Sequence, residues 1–153
     1  MTMTLEDRNK SIGHLLNGTY TSLKAIVPIK QELKKPSLLG KSLQLNFGVL
    51  IGITGDIKGK IILSADTHIF SSVGEAMFGM PLEGEMLASF SGELGNMIAG
   101  SLSTIIADNG IKTDITAPTI MKGDTTLTGY ERAIQMTVIL ENLGELKIYL
   151  LLD

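Results

Sequence analysis

The sequence predicts an α+β fold in which a mainly antiparallel sheet of hairpins is covered by long helices. Two observations lead to this prediction. Segments with helical spacing of apolar residues alternate with pairs of strands rather than with single strands. The chain also has enough apolar material for one core, since 44% of its 153 residues are hydrophobic, and its length is typical of a single domain spanning residues 1–153.

A helix, an edge strand and a hairpin are predicted for the first half of the chain. Between Leu5 and Ile26 apolar residues recur at roughly helical spacing, after a possible cap at Thr4 and before Pro28, which ends the helix. Alternation of apolar residues across 43–53 is the period of a half-buried strand. The remaining predicted elements are an edge strand at 30–35 and a returning strand at 57–63, after a turn at Gly55-Asp56.

A short helix, a long helix and a second hairpin are predicted for the second half. The short helix is capped by Asp66 or Thr67 and stops at Gly79. The long helix runs over residues 83–109, which at about 1.5 Å per residue would span about 40 Å. The elements predicted after it are a short strand at 111–116, a polar loop around Gly123-Asp124 that follows Pro118, and a hairpin of residues 131–140 and 145–152.

The order of these elements, helix then hairpin twice over, hints at an internal duplication, although no sequence identity between the halves is evident. The last strand, 147–152, is apolar on both faces, and at an exposed edge such a strand would pair with another chain. The mean hydropathy of +0.27 is high for a soluble protein of this length, which also indicates apolar surface buried against a second chain. We therefore predict a homodimer made by joining sheets.

The composition excludes several classes of protein and partner. Without cysteine there can be no disulfide and no thiolate metal site. No apolar run approaches the roughly 18 residues of a membrane span, and a formal charge of −3 without a Lys/Arg cluster argues against nucleic acid as a partner. The first residues lack the basic-then-apolar order of a signal peptide, so cytoplasmic localisation is expected.

The long helix separates into two faces when its residues are placed at helical intervals. Ser89, Glu93 and Asn96 fall within about 60° of one another, and Glu93 and Asn96 are about 4.5 Å apart along the axis. The full polar face contains Glu85, Ser89, Gly92, Glu93, Asn96, Gly100 and Ser103, and the apolar stripe predicted to enter the core contains Leu87, Phe90, Leu94, Met97, Ile98 and Ile105.

Two glycines on the polar face of this helix call for an explanation, because a glycine in a helix interior costs about 1 kcal/mol relative to alanine. Packing against the chain's own core is not expected to account for Gly92 and Gly100. These glycines are therefore predicted to leave open space, or low shoulders, beside a ridge formed by the projecting side chains of Glu93 and Asn96. Such a ridge could enter a narrow site on another macromolecule. A Glu and an Asn three residues apart on a helix are, however, also common on an ordinary solvated face. Gly95, elsewhere on the helix, is expected to let a neighbouring element approach closely.

Residues 89–100 resemble the signature of the CheC/CheX family of chemotaxis phosphatases. That signature is Asp or Ser, three residues, Glu, two residues, Asn, and a Pro about two dozen residues later; Ser89, Glu93, Asn96 and Pro118 match it. The chain length and the single copy of the motif resemble the CheX branch. A second Glu-x-x-Asn, at Glu6 and Asn9, has no Pro at the family spacing and is interpreted as a coincidence.

The resemblance implies a CheC-like fold and an enzyme that hydrolyses the phospho-aspartyl group of a CheY-like response regulator in chemotaxis or two-component signalling. Asn96 would orient the hydrolytic water and Glu93 would dock to a lysine of the regulator. An amide accepts a hydrogen bond from water without repelling phosphoryl oxygens, whereas a carboxylate would be repelled and suits an ion pair better. Ser89, Gly92 and Gly100 are predicted to contact the regulator. Because the regulator would bring its own Mg²⁺, this chain is expected to bind no cofactor and no metal.

The competing function is a non-catalytic, CheC-like interaction module of a chemosensory or flagellar complex. The intact pair of Glu93 and Asn96 favours the phosphatase, since a purely structural relative has no need of either side chain. His14 and His68 lie far from any acidic cluster and are predicted to be helix-surface or capping residues. The methionines around the two helices, Met77, Met80, Met86 and Met97, are predicted first to fill the core and second to form a soft contact surface.

Overall fold

The computed structural model describes residues 4–153, which form three helices and eight strands in a single sheet. Every strand pairing in that sheet is antiparallel, so the predicted α+β architecture is confirmed. The helices are α1 (Leu5–Ile26), α2 (Thr67–Phe78) and α3 (Gly84–Ala107). The strands are β1 (Gln31–Leu33), β2 (Ser37–Leu38), β3 (Leu43–Gly55), β4 (Gly59–Ser64), β5 (Thr113–Ile115), β6 (Thr119–Leu127), β7 (Arg132–Leu140) and β8 (Gly144–Leu152).

Helix ends follow the local signals in the sequence. At the start of α1 the hydroxyl of Thr4 accepts a hydrogen bond of 3.1 Å from the backbone N–H of Asp7, and the helix ends just before Pro28. Gly79 closes α2 in the left-handed conformation, with a φ of 81° that a residue with a side chain rarely adopts. The long helix α3 has 24 residues and ends within a few residues of the predicted boundary.

The position of β8 corrects one prediction. The strand order is β1-β7-β8-β4-β3-β5, so β8 lies in the middle of the sheet, hydrogen-bonded to β7 on one side and to β4 on the other. Its apolar character on both faces reflects this central position, because both faces of a central strand can be buried. The expectation of an exposed edge at 147–152, on which the sheet-joined dimer was based, is therefore wrong.

A second correction concerns the residues around Gly123-Asp124, which were predicted to be a polar loop. They belong to β6, which pairs with β3 from Leu43↔Leu127 to Leu50↔Thr119. Between these pairs the two residues Gly123 and Asp124 oppose the single residue Asn46, and Gly123 has a φ of 84°. This is a β-bulge on a mostly exposed edge strand, and both features remove the apolar alternation by which a strand is recognised.

The two halves of the chain contain the same set of elements: a long helix, two short or outer strands and a hairpin, which are α1 and β1–β4 in the first half and α3 and β5–β8 in the second. The β3–β4 and β7–β8 hairpins meet at the β4–β8 pairing; β1 and β2 from the first half pair with β7, while β5 and β6 from the second half pair with β3. Helices α1 and α3 pack together, and the hydroxyls of Ser22 and Ser101 are hydrogen-bonded at 2.9 Å.

This hydrogen bond joins equivalent residues of the two helices. Matching Ser22 with Ser101 in the sequence also matches Gly13 with Gly92, Leu15 with Leu94, Asn17 with Asn96 and Leu23 with Leu102. The predicted duplication therefore has sequence identity within its helices, which the order of elements alone did not reveal.

One large core joins all three helices to one face of the sheet. Leu94 and Ile98 of α3 are fully buried there, and α3 lies close to β3 because Gly95 has no side chain: a Cβ at Gly95 would lie 2.8 Å from Cγ1 of Val49. The prediction that Gly95 permits a close approach is confirmed. A smaller cluster on the other side contains Leu43, Leu45, Ile62, Ala133, Tyr149 and Leu151. Within the described part of the chain no helix is long and apolar enough to cross a membrane.

Candidate functional site

Helix α3 presents the predicted pair on its outer face. Glu93 is exposed, Asn96 is half-buried, and Ser89, one turn before Glu93, is exposed. The residues between them are buried: Leu94 packs in the core and Gly95 lies against β3. Because the inner face of α3 is held by the core along its length, the backbone that carries Glu93 and Asn96 is fixed in place.

The side chains of this pair have no partner within the chain. In the described residues, Ser89, Glu93 and Asn96 take part in no side-chain hydrogen bond, and the ion pairs there join Arg8 to Glu131, Lys10 to Glu6 and Lys34 to Glu145. The carboxylate of Glu93 and the amide of Asn96 are therefore both available to an external partner.

Gly92 has a structural role that was not predicted. It is buried, and a Cβ at this position would lie 3.3 Å from Cδ1 of Ile120 and 3.4 Å from Cγ of Pro118. The expectation that packing within the chain could not account for Gly92 is wrong, because the glycine makes room for this segment. Instead of an open shoulder, a wall formed by Pro118 and Ile120 stands beside the ridge of Glu93 and Asn96.

The wall is anchored to the sheet. The hydroxyl of Thr116 accepts a hydrogen bond of 2.8 Å from the backbone N–H of Gly52, and the N–H of Thr116 donates one of 3.0 Å to the carbonyl of the same glycine. Further along α3, Gly100 is half-buried, with Cδ1 of Ile115 lying 3.9 Å from where its Cβ would be. Pro118 thus lies between β5 and β6 and also packs beside Gly92 of the site helix.

The other flank of the ridge is apolar, which agrees with the second interpretation of the methionines, a contact surface, rather than with the first. Phe78, Met80 and Met86 are 61%, 54% and 60% exposed, and Met97 is 37% exposed. The prediction that Met80, Met86 and Met97 fill the core is therefore wrong, although Met77 does pack against it. The available signal was position: Phe78 and Met80 surround the glycine that ends α2, where a side chain has little core to enter.

On α1 the positions equivalent to Glu93 and Asn96 are occupied by His14 and Asn17. Asn17 is exposed and His14 is half-buried, and no atom lies within 4 Å of where a Cβ on Gly13 would be. The helix face on α1 thus lacks both the carboxylate and the wall. Glu6 and Asn9 lie further towards the start of α1, where Glu6 pairs with Lys10 at 4.0 Å.

Among the residues that the structure describes, no group of three or more His, Cys, Asp or Glu side chains could hold a metal ion. His68 is exposed in the first turn of α2, and His14 is half-buried within α1. The chemistry available at the ridge is therefore that of one carboxylate and one amide on adjacent turns of a helix. These groups can form an ion pair and position a small polar molecule.

Comparison with known proteins connects this geometry to one family. The model of the family described as chemotaxis phosphatase CheX matches residues 47–140, which include all of α3. A CheY-P phosphatase CheX from Thermotoga maritima is 33% identical over 117 residues, which is 73% of this chain and 75% of that protein.

Two solved structures share the fold. A chemotaxis protein CheX from Desulfovibrio desulfuricans has a TM-score of 0.79 at 19% identity, covering 94% of this chain and 99% of that one. CheX from Borrelia burgdorferi, crystallised in complex with CheY, BeF₃ and Mg²⁺, has a TM-score of 0.77 at 23% identity and covers 93% of this chain and 97% of that one.

Proposed function

We propose, because this chain belongs to the CheX family of chemotaxis phosphatases, that it removes the phosphoryl group from the phospho-aspartate of a CheY-like response regulator. Glu93 and Asn96 are proposed to act together on that group. The observation that carries the assignment of these residues is their exposure, without internal partners, on adjacent turns of a helix that the core holds rigid.

The proposed role of Asn96 is to orient the hydrolytic water in line with the bond between phosphorus and the aspartyl oxygen. Transfer to water leaves inorganic phosphate and the free aspartate, and such a step depends mainly on positioning and charge stabilisation. The amide oxygen accepts a hydrogen bond from the water, and the uncharged amide does not repel the phosphoryl oxygens. In this proposal Mg²⁺ belongs to the regulator, and this chain contributes no metal ligand.

The proposed role of Glu93 is to bind. Its carboxylate lies one turn before Asn96 and would form an ion pair with the lysine beside the regulator's phosphorylation site. That pair would place α3 across the phosphoryl pocket and set the distance of Asn96 from phosphorus. The wall of Pro118 and Ile120 limits the approach from one side of the helix, so the ridge can enter the pocket in few orientations.

A phosphate-release assay tests these roles. CheY-like regulators from the same cell are phosphorylated, and the rate of phosphate loss is followed with and without this protein. We expect the wild type to accelerate the loss, Asn96→Ala to lower kcat by about 100-fold or more, and Glu93→Ala to raise KM as well as lower kcat. Asn17→Ala is the matched control, because Asn17 is the equivalent exposed residue of α1 and should leave the rate unchanged.

The outcomes of this assay separate the two functions. Acceleration by the wild type that both α3 variants retain would show a phosphatase with a different mechanism. Binding of the regulator without acceleration by the wild type would favour the non-catalytic interaction module instead.

A homodimer also remains a prediction. Since β8 is central, the described sheet could join another sheet only through its outer strands, which are β5 and β6 on one side and β1 and β2 on the other. Lys122 and Asp124 lie on β6, and charged side chains on an edge strand oppose such pairing. Sedimentation equilibrium measures the association state directly, and a monomer at all concentrations would contradict the prediction.

A further inference from the structure

An apolar groove runs along the flank of α3 that faces away from Pro118. Phe78 and Met80, at the end of α2 and just beyond it, form one side of the groove; Met86 and Phe90 of α3 form the other. Ser89 and Glu93 lie on its rim. We call this feature the Phe78–Met86 groove. It opens directly onto the ridge that carries the proposed site.

We propose that the Phe78–Met86 groove is a docking surface for the phosphorylated response regulator and binds an apolar side chain that lies beside the regulator's lysine. The proposal depends on the proposed function, and it adds a second, non-catalytic part to the contact. It assigns binding of the partner to residues outside the pair of Glu93 and Asn96.

Exposure of the groove residues supports this assignment. Phe78, Met80 and Met86 are each more than half exposed, whereas the other large apolar side chains of α2 and α3 are mostly buried. Contiguous apolar side chains on a protein surface typically mark a contact with another molecule. Methionine suits such a contact, because its flexible thioether adapts to the shape of the partner.

The groove is already formed in the free protein. The ring of Phe78 lies edge-on to that of Phe90, with centroids 5.7 Å apart and an angle of 89° between the planes. The segment carrying Met80 is held by Leu82, whose side chain is buried and whose carbonyl accepts a hydrogen bond of 2.9 Å from the hydroxyl of Ser71. A partner would therefore bind with little ordering of the backbone, which favours affinity.

The charges along the groove indicate what kind of partner it accepts. Among the described residues that line it, the ionisable ones are Glu85 and Glu93, both acidic. A complementary occupant has an apolar side chain and a cation next to each other. The face of a regulator that carries the active-site lysine supplies that cation, and Glu93 is the residue proposed to receive it.

The test separates binding from turnover. Met86→Ser and the double variant Phe78→Ser/Met86→Ser are compared with the wild type for hydrolysis, and for binding of the regulator activated with beryllofluoride. We expect the double variant to raise both KM and Kd by about 10-fold, as for the loss of a binding hot spot, while kcat at saturation stays within about twofold. Met86→Ser alone should show part of the same effect; its side chain has little internal packing to lose.

Leu38→Ser is the matched control. Leu38 is 72% exposed on β2, on another element, so its replacement removes apolar surface without changing the groove. We expect its KM and Kd to equal those of the wild type, and circular dichroism should show all variants folded.

Other outcomes overturn the proposal in distinguishable ways. Unchanged KM and Kd in both groove variants, with Asn96→Ala inactive, would reject the groove and leave the proposed function intact. Unchanged KM with a lower sedimentation coefficient would identify the groove as a contact between two copies of this chain. A wild-type protein that does not accelerate hydrolysis would reject the proposed function itself.

Discussion

At the scale of single residues, the carboxylate of Glu93 and the amide of Asn96 differ in how salt should affect them. An ion pair between Glu93 and a lysine is screened by salt, since the Debye length falls from about 10 Å at 0.1 M to about 3 Å at 1 M. We expect the KM of the wild type to rise with ionic strength. In Glu93→Gln the KM should be higher at low salt and change less. Steady-state hydrolysis in a salt series measures this, and an equal salt dependence in both proteins would exclude the ion pair.

Gly92 and Gly13 are equivalent glycines in different surroundings, and alanine should affect them differently. At Gly13 the new methyl group meets open space, so Gly13→Ala should stabilise the protein by about 1 kcal/mol through helix propensity. At Gly92 the methyl group would lie 3.3 Å from Ile120, which must shift. We expect Gly92→Ala to gain less stability than Gly13→Ala and to lower phosphatase activity as the wall moves. Urea unfolding compares the stabilities, and equal gains would contradict the proposed contact.

The placement of Glu93 and Asn96 on the outer face of one helix could be predicted from the sequence, but the surroundings of this pair could not. Glu93 and Asn96 belong to a local motif on one helix, so their spacing fixes their relative position. Pro118 and Ile120 reach Gly92 from a segment more than twenty residues away, and Phe78 comes from a different helix. Contacts of that kind depend on how the elements pack, which no periodicity within one segment describes.

At the scale of elements, the distance between α3 and β3 depends on Gly95. A Cβ there would lie 2.8 Å from Cγ1 of Val49 and 3.1 Å from Cδ1 of Ile51. We expect Gly95→Ala to lose about 1–3 kcal/mol of stability, as for overpacking of a core, despite the better helix propensity of alanine. Thermal unfolding tests this against Gly13→Ala, which makes the same chemical change without the contact. A Gly95→Ala protein as stable as the wild type would show that α3 can move away from the sheet at little cost.

The helices and both hairpins were predictable because their signals are local. These signals are the capping residues of a helix, the period at which apolar residues recur and the residues that form a turn. Two strands were misjudged for opposite reasons. The composition of β6 resembles that of a loop because this strand lies at the edge of the sheet and contains a bulge. The segment β8 was recognised as a strand, but it was expected at an edge of the sheet and lies in the middle. Strand order depends on pairings between distant segments, so alternation within a strand cannot reveal it.

At the scale of the whole molecule, the duplication places two equivalent helix faces on one domain, and only one of them carries the acidic residue of the pair. His14 of α1 occupies the position equivalent to Glu93 of α3, whereas the position equivalent to Asn96 is also an asparagine, Asn17. The two helices share buried positions such as Leu15 and Leu94. Their cores are thus alike, and the difference between the halves lies in exposed side chains and in the covering segment.

The central position of β8 also has a consequence for biosynthesis. Strands β4 and β7 are both largely buried, and each is hydrogen-bonded to β8 along one side. A ribosome makes residues 144–152 after all the other elements, so the nascent chain holds two apolar strands with open edges until the last strand emerges. Unpaired edges of this kind promote aggregation, and pairings between distant segments form slowly. Because β8 pairs with both β4 and β7, the two halves of the sheet are joined only when this strand is in place.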